Sequence, residues 1–249
     1  MRFSNRTAIV TGAASGVGRE LAHGLGEQGV DVAIADLDIE GGQQVADEIE
    51  DAYGVDALPV ETDVTDYEST EAMAETVHEE FGRIDILVNN AGIWTVKPFT
   101  KTTPDDWEID VGVCFEGTLN CTHAVIDYML EQEYGRILNI VSDAGRVGEA
   151  HLAVYSGAKA GVIGFARALA KETAHAGITV NNLALGVTET EGAADFIESF
   201  GKENLERQYP AGRLGQTEDA VPGALFFLQD EAGYVTGQTV SASGGYATI

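Results

Sequence analysis

Thr7-Ala8-Ile9-Val10-Thr11-Gly12-Ala13-Ala14-Ser15-Gly16-Val17-Gly18 is the stretch on which the fold turns. Thr7 to Val10 is a short apolar run of strand type. A glycine turn follows, and Arg19 to Gln28 then reads as a helix. Strand, glycine turn and helix in immediate succession make a dinucleotide phosphate site. The glycines let backbone approach a pyrophosphate, and the helix N-terminus attracts its charge. A glycine-rich turn alone is weak; its placement between strand and helix carries the reading. Gly12, Ser15, Gly16, Val17 and Gly18 are therefore candidate cofactor contacts.

The next strand, Val32 to Ala35, ends at Asp36, eighteen residues after Gly18. That is the spacing expected of the acid that binds an adenosine ribose. A carboxylate there accepts from the ribose hydroxyls and repels a 2′-phosphate. Leu37 follows, with no basic residue beside it to receive that phosphate, so the expected cofactor is NAD.

Beyond Asp36 the chain keeps a strand–helix rhythm. A helix is expected from Ile39 to Ala52, a strand at Ala57 to Val60 leading to Asp63-Val64, and a helix from Tyr67 to Phe81. Ile84 to Val88 is the fourth strand, ending in Asn89-Asn90-Ala91-Gly92. Pro104 to Glu133 is a long helical stretch; most of Trp107, Val111, Cys114, Phe115, Thr118, Ala124 and Met129 on it are assigned to core or subunit interface. Arg136 to Val141 is the fifth strand, Gly177 to Asn181 the sixth, Glu218 to Leu228 the last helix and Gln238 to Val240 the last strand. Apolar strands alternating with helices imply a parallel sheet covered on both faces, with right-handed crossovers. Residues 191 to 212 lose the rhythm. A long irregular segment beyond a strand's carboxyl end is where a substrate lid would sit, so a lid is expected at about 188–212. No repeat or linker divides the chain, and 1–249 is expected to be one domain.

Ser142 stands where the fifth strand ends, and Tyr155 and Lys159 lie four residues apart, on one face of a helix. A phenol is a poor base at neutral pH, its reference pKa being about 10, and a nearby ammonium lowers that value. Such a phenol gives a proton to a carbonyl oxygen, or as phenolate takes one from an alcohol. A serine hydroxyl can hold the same oxygen as charge develops on it. What remains of an alcohol oxidation is a hydride, which needs a nicotinamide. Ser142, Tyr155 and Lys159 are the candidate catalytic set. An isolated Tyr-x-x-x-Lys is common on helices; the upstream serine and the glycine turn give this one its weight.

Composition bounds the rest. At 249 residues and 44% hydrophobic, the chain suits one large α/β domain. No apolar run reaches membrane-span length. Met1 to Arg6 leads straight into a strand and leaves no room for a signal peptide. Cys114 and Cys121 lack metal or redox spacing, and the five histidines form no ligand cluster, so no metal is expected. Forty-one acids against 14 bases give −27, which argues against nucleic acid as a partner. An acidic surface stays soluble in high salt, where its self-repulsion is screened; a halophile's cytoplasm is the expected setting.

Thr11-Gly-x-x-x-Gly-x-Gly18, Asp63-Val64, Asn89-Asn-Ala-Gly92, Ser142, Tyr155-x-x-x-Lys159 and Gly237-Gln238 occur in that order. The whole chain resembles the short-chain dehydrogenase/reductase family. The resemblance implies a seven-stranded, doubly wound Rossmann fold of α/β class, a nicotinamide cofactor, a small-molecule substrate and a homotetramer. By the same likeness Tyr155 is the acid/base, Ser142 orients the substrate, and Lys159 serves the ribose and the tyrosine. Asp63, Val64 and Asn90 would flank the adenosine half, and Thr188 and Thr190 the nicotinamide end. Two positions depart from the family pattern. Cys114 stands where relatives carry an asparagine that helps hold a water linking the lysine to solvent. Leu185-Gly186 replaces a Pro-Gly, which is expected to loosen the cofactor loop. The implied activity is NAD-dependent interconversion of a secondary alcohol and a ketone, on a hydroxyacyl thioester or a cyclic alcohol, with Trp94 a candidate for the pocket wall. A sugar or polyol dehydrogenase is the alternative within the class, and a dinucleotide-binding regulator with an impaired site the alternative outside it.

Overall fold

Ala8 and Ile9 point to opposite sides of β1 (Thr7–Thr11), and both are wholly buried. Each therefore needs its own covering layer, which a doubly wound sheet supplies. The computed structural model describes Phe3 and residues 5–249; Met1, Arg2 and Ser4, at the start of the expected Met1–Arg6 leader, lie outside the described residues. The remaining strands are β2 (Asp31–Asp36), β3 (Ala57–Glu61), β4 (Ile86–Asn89), β5 (Gly135–Ser142), β6 (Ile178–Leu185) and β7 (Thr239–Ala242). They form one seven-stranded sheet in the order β3-β2-β1-β4-β5-β6-β7, with every neighbouring pair parallel. The order reverses between β1 and β4, and a crevice opens above such a switch point.

Two layers of helices complete a single α/β Rossmann domain. Helices α1 (Gly16–Glu27) and α2 (Ile39–Tyr53) pack with the later α10 (Val221–Leu228) over Ala8, Val10, Ile34 and Val88. On the other face, α3 (Tyr67–Phe81), α5 (Gly117–Gln132) and α7 (Ala153–Thr173) pack over Ile9, Ala33, Leu87 and Val180. Short helices α4 (Pro104–Val111), α6 (Ala144–Val147), α8 (Ala194–Phe200) and α9 (Lys202–Glu206) lie between these.

A buried amide row fixes the register of the catalytic half. Asn89, Asn139, Asn182 and Thr239 face one another across β4, β5, β6 and β7. Asn89 donates to Asn139 at 2.9 Å, Asn139 to Asn182 at 2.9 Å, and Asn182 to Thr239 at 3.0 Å. Slipping one strand by a residue would bury these amides without partners, so the row penalises every wrong register.

The structure corrects several expected boundaries. Ile84 is not in the fourth strand; buried Asp85 takes the backbone N–H of Thr7 and the guanidinium of Arg83, and pairing begins at Ile86. The long helical stretch from Pro104 runs unbroken to Gln132, with a π-helical turn, Gly112–Glu116, joining α4 to α5. Of the residues assigned to core or interface on that stretch, Cys114 and Met129 are wholly buried, while Trp107 is 40% exposed and stacked on Phe99. Residues 191–212 are not irregular, since they hold α8 and α9. Among the described residues no helix is long and apolar enough to cross a membrane, and no group of His, Cys, Asp and Glu could hold a metal ion.

Candidate active site

The glycine turn is shaped by two left-handed backbones, Gly12 at φ 62° and Gly16 at φ 55°, which side-chain-bearing residues rarely adopt. Gly18 is required for a different reason. A Cβ on it would lie 2.1 Å from the Gly12 carbonyl oxygen, so only glycine lets α1 pack against the end of β1. Asn90 locks the turn from the far side of the switch point, its Nδ2 donating to Thr11 O at 2.9 Å and Gly12 O at 3.0 Å. Thr11 Oγ1 in return accepts from the N–H groups of Asn90 and Ala91. Ser15 is the N-cap of α1 with extended backbone, and its hydroxyl makes no capping bond to the helix. Exposed Ser15 and half-buried Gly16 and Val17 thus border an open helix N-terminus.

Asp36 ends β2 beside this turn. Its Oδ2 accepts from Ala14 N at 2.9 Å and its Oδ1 from Asp38 N at 3.0 Å. Arg19, on the first turn of α1, is taken up by Glu20 and Glu48. The Asp63 carboxylate accepts from the backbone and hydroxyl of Thr65, and Val64 O accepts from Asn120 at 3.0 Å, tying the loop after β3 to α5. A backbone cradle, an open helix N-terminus and a strand-end carboxylate form a donor and acceptor set that fits a dinucleotide.

The catalytic candidates converge from β5 and α7. Ser142 is the last residue of β5, and its Oγ accepts from Ala144 N at 3.1 Å as the chain turns into α6. Gly145 lets α6 lie against α7: a Cβ there would meet the Lys159 backbone at 2.8 Å. Buried Lys159 donates from Nζ to Ile140 O, in β5, at 2.9 Å and stands 5.8 Å from the centroid of the Tyr155 ring. Burial pushes the Tyr155 phenol above its usual range; Cys114 and Asp110 add to the rise, while a hydrogen bond with Ser142 opposes it. In this state Tyr155 is a proton donor. Trp94 stands 6.1 Å from the Tyr155 ring, between centroids.

Two residues beside this set carry more than the sequence revealed. Asp110, 2% exposed, accepts from Thr95 N at 2.9 Å and so pins the loop that carries Trp94; burial raises its carboxyl pKa. Nothing in a chain with so many acids marked this one. Cys114 lies within the π-helical turn, wholly buried. Its thiol donates to Ile93 O at 3.1 Å, and its carbonyl accepts from the Thr118 hydroxyl at 3.1 Å.

The loop after β6 is tied down, against the loosening expected of Leu185-Gly186. Leu185 pairs with Ser142 and Ala242, and Val187 N donates to the Tyr209 phenol at 2.7 Å. Thr188 forms a parallel bridge with Gly215. Thr190 caps the following turn, and its methyl lies 3.4 Å from where a Gly16 side chain would begin. Leu205, Tyr209 and Leu214 form a small separate core with Phe196, Ile197 and Tyr246.

A strand-end serine, a tyrosine and lysine on one helix and a dinucleotide cradle across the switch point define an oxidoreductase that uses a nicotinamide dinucleotide. The sequence profile of the short chain dehydrogenases matches residues 6–199. The chain is 41% identical over 245 residues to the (2S)-[(R)-hydroxy(phenyl)methyl]succinyl-CoA dehydrogenase subunit BbsD of Thauera aromatica, covering 98% of each. It is 36% identical to the 3-oxoacyl-[acyl-carrier-protein] reductase FabG of Escherichia coli (strain K12), again over 98% of each. The crystal structure of gox2181 superposes with a TM-score of 0.95 at 34% identity, covering 98% of this chain and 96% of that one. The protein belongs to the short-chain dehydrogenase/reductase family.

Proposed function

We propose that the protein is an NAD-preferring dehydrogenase or reductase that interconverts a secondary alcohol and a ketone on a hydroxyacyl thioester. The observation that carries the oxidoreductase reading is the meeting of Ser142, Tyr155 and Lys159 at the carboxyl end of β5, on the side of the sheet where the glycine turn opens. Tyr155 gives its proton to the ketone oxygen in reduction and takes it from the alcohol in oxidation. Ser142 donates a hydrogen bond to the same oxygen. Lys159, held to Ile140 O, stands 5.8 Å from the centroid of the ring, where a cationic side chain favours the phenolate when it forms. The dinucleotide, when bound, supplies or accepts the hydride. Gly12, Ser15, Gly16, Val17 and Gly18 would hold its pyrophosphate, Asp36 its adenosine ribose, Asp63, Val64 and Asn90 the adenosine side, and Thr188 and Thr190 the nicotinamide side.

Asp36 supports NAD, because a 2′-phosphate there would meet a carboxylate with Arg19 already paired. The thioester reading draws on the BbsD and FabG relatives and on the aromatic surroundings: Trp94 beside Tyr155, and His151 against Phe200 of α8 at 6.2 Å. Residues 188–212 act as the lid over that substrate. The outward face of α7 carries Gly157, Ala160, Gly164 and Ala168, which suits close packing of symmetry mates into a homotetramer. The acid surplus suits a salt-rich cytoplasm.

The test is a turnover panel with 3-hydroxyacyl-CoA thioesters, cyclic alcohols and polyols, each with NAD and with NADP. Turnover should be fastest with a hydroxyacyl thioester and NAD. Dinucleotide binding without turnover anywhere in the panel would sink the catalytic reading.

A further inference from the structure

We propose that the cavity between α7 and the chain entering β7 binds a small phosphate-bearing anion. The cavity has a volume of about 480 Å³, within the size range of small-molecule sites. It shares no residue with the candidate catalytic or dinucleotide sets. Arg146, Arg167 and Lys171 line it, with Thr236, Gln238 and Thr239 on the opposite wall.

Charge is the unusual feature. The chain has 41 acids in 249 residues. None of the residues lining this cavity is an Asp or Glu, although three are cationic. Among the described residues, the lysines and arginines without an ion pair are Lys101, Lys159, Arg167 and Lys171. Lys159 belongs to the catalytic set. Two of the remaining three thus stand one helical turn apart on α7 and face one cavity. In a chain so acidic, an unpaired Arg–Lys pair finds no carboxylate because its place is reserved for an anion from outside.

The third cation is held differently. Arg146 bonds Ser241, which bonds Asp143, and its guanidinium lies 3.9 Å from the Asp143 carboxylate. Asp143 balances Arg146, and Arg167 and Lys171 leave the cavity with a surplus of about two positive charges. The opposite wall supplies neutral donors. The Thr236 oxygen accepts from Val180 N at 3.0 Å and the Thr239 oxygen from Asn182 at 3.0 Å, which leaves each hydroxyl proton available to a ligand. A guanidinium fork, an ammonium and hydroxyl donors together match tetrahedral phosphate oxygens better than an apolar or cationic ligand.

The test titrates the full-length protein with inorganic pyrophosphate by calorimetry in chloride-free buffer at one fixed ionic strength. Saturating NAD plus NADP fills the dinucleotide site, so that only a second site is read. One equivalent per chain should bind. The double variant R167Q/K171Q, both residues exposed, should bind at least about tenfold more weakly, and K101Q, which removes the unpaired cation elsewhere, should bind as wild type. No binding to the wild type, equal weakening in K101Q, or tighter binding of tricarballylate than of pyrophosphate would each overturn the proposal. So would a double variant that keeps its pyrophosphate affinity but scatters light as a smaller species, which would make the cavity a seat for a carboxylate of a second copy.

Discussion

The glycine turn and the segment from 188 to 212 meet where Thr190 approaches Gly16, yet they are held by different physics. The turn is set by backbone: two left-handed glycines, a third whose Cβ has no room, and an asparagine whose amide grips two carbonyls. The segment after β6 is set by side chains from separate stretches: Val187, Phe196, Tyr209 and Tyr246 around Leu205 and Leu214. The first arrangement leaves almost no freedom to substitute. The second can trade one apolar or aromatic contact for another of similar volume at modest cost. The candidate catalytic residues belong to neither region: Ser142 ends β5, and Tyr155 and Lys159 lie on α7.

The largest effect should come at that junction. Tyr155→Phe removes the proton carrier and keeps the ring, so fold and dinucleotide binding should persist while turnover falls roughly a hundred- to ten-thousandfold. The pH profile adds a sign. Burial raises the Tyr155 phenol above its usual value, so the proton is in place at neutral pH. Reduction should therefore be fast at neutral pH and decline in alkali, and oxidation should climb as pH rises; steady-state rates of Tyr155→Phe should lose both slopes. A variant with wild-type slopes would move the acid/base elsewhere.

Gly18→Ala attacks the backbone-built region directly. Its new methyl would sit against the Gly12 carbonyl. Overpacking costs about 1–3 kcal/mol, so dinucleotide affinity should fall by roughly five- to a hundredfold while the melting temperature drops modestly. Fluorescence titration with NADH reads the first quantity and circular dichroism the second. Unchanged affinity would mean that the turn tolerates what its geometry forbids.

Asp36→Ala tests the other wall of the same region. Removing the carboxylate takes away the repulsion of a 2′-phosphate and the hydroxyl hydrogen bonds together. The ratio of kcat/KM with NAD to that with NADP should fall by about tenfold, the worth of roughly 1.4 kcal/mol. Equal wild-type efficiency with both cofactors would remove the premise.

Much of this was legible in the sequence because local rules set it. Gly12, Gly16 and Gly18 announce a turn that only glycine can make, and Tyr155 with Lys159 announces one helix face. The sheet itself followed from alternating apolar runs. What stayed hidden depends on distant partners. Asp110 looks like any of the chain's acids until Thr95 is seen above it. Asn90 is expected to flank the adenosine half, and only the fold shows that its amide also grips the Thr11 and Gly12 carbonyls. The helices within 191–212 are short, and they share their core with Val187, Leu214 and Tyr246 from outside the segment, so no local period reveals them. Tyr209→Phe probes that borrowed core. It leaves Val187 N without its partner, a loss of about 0.5–1.5 kcal/mol, and should raise substrate KM a few-fold without moving NADH affinity. A loss of NADH affinity larger than that of Gly18→Ala would erase the contrast between the two regions.

The smallest effect should come from Cys114→Asn, which installs the residue that relatives carry. The position lies in the π-helical turn between α4 and α5, where the helix is already widened. Its side chain is occupied by Ile93 O, and an asparagine amide of similar size can donate to the same oxygen. The Cys114 carbonyl accepts one bond from Thr118 and keeps a second lone pair. A proton path through that carbonyl would use the backbone, which the substitution leaves in place. Turnover should therefore stay within about tenfold of wild type, the scale of one exchanged hydrogen bond. A larger rise, strongest where proton transfer limits the rate, would show that the thiol impairs a path the asparagine side chain restores. A larger loss would show that the thiol, bonded to Ile93 O, has a part in this enzyme that the family's asparagine cannot take.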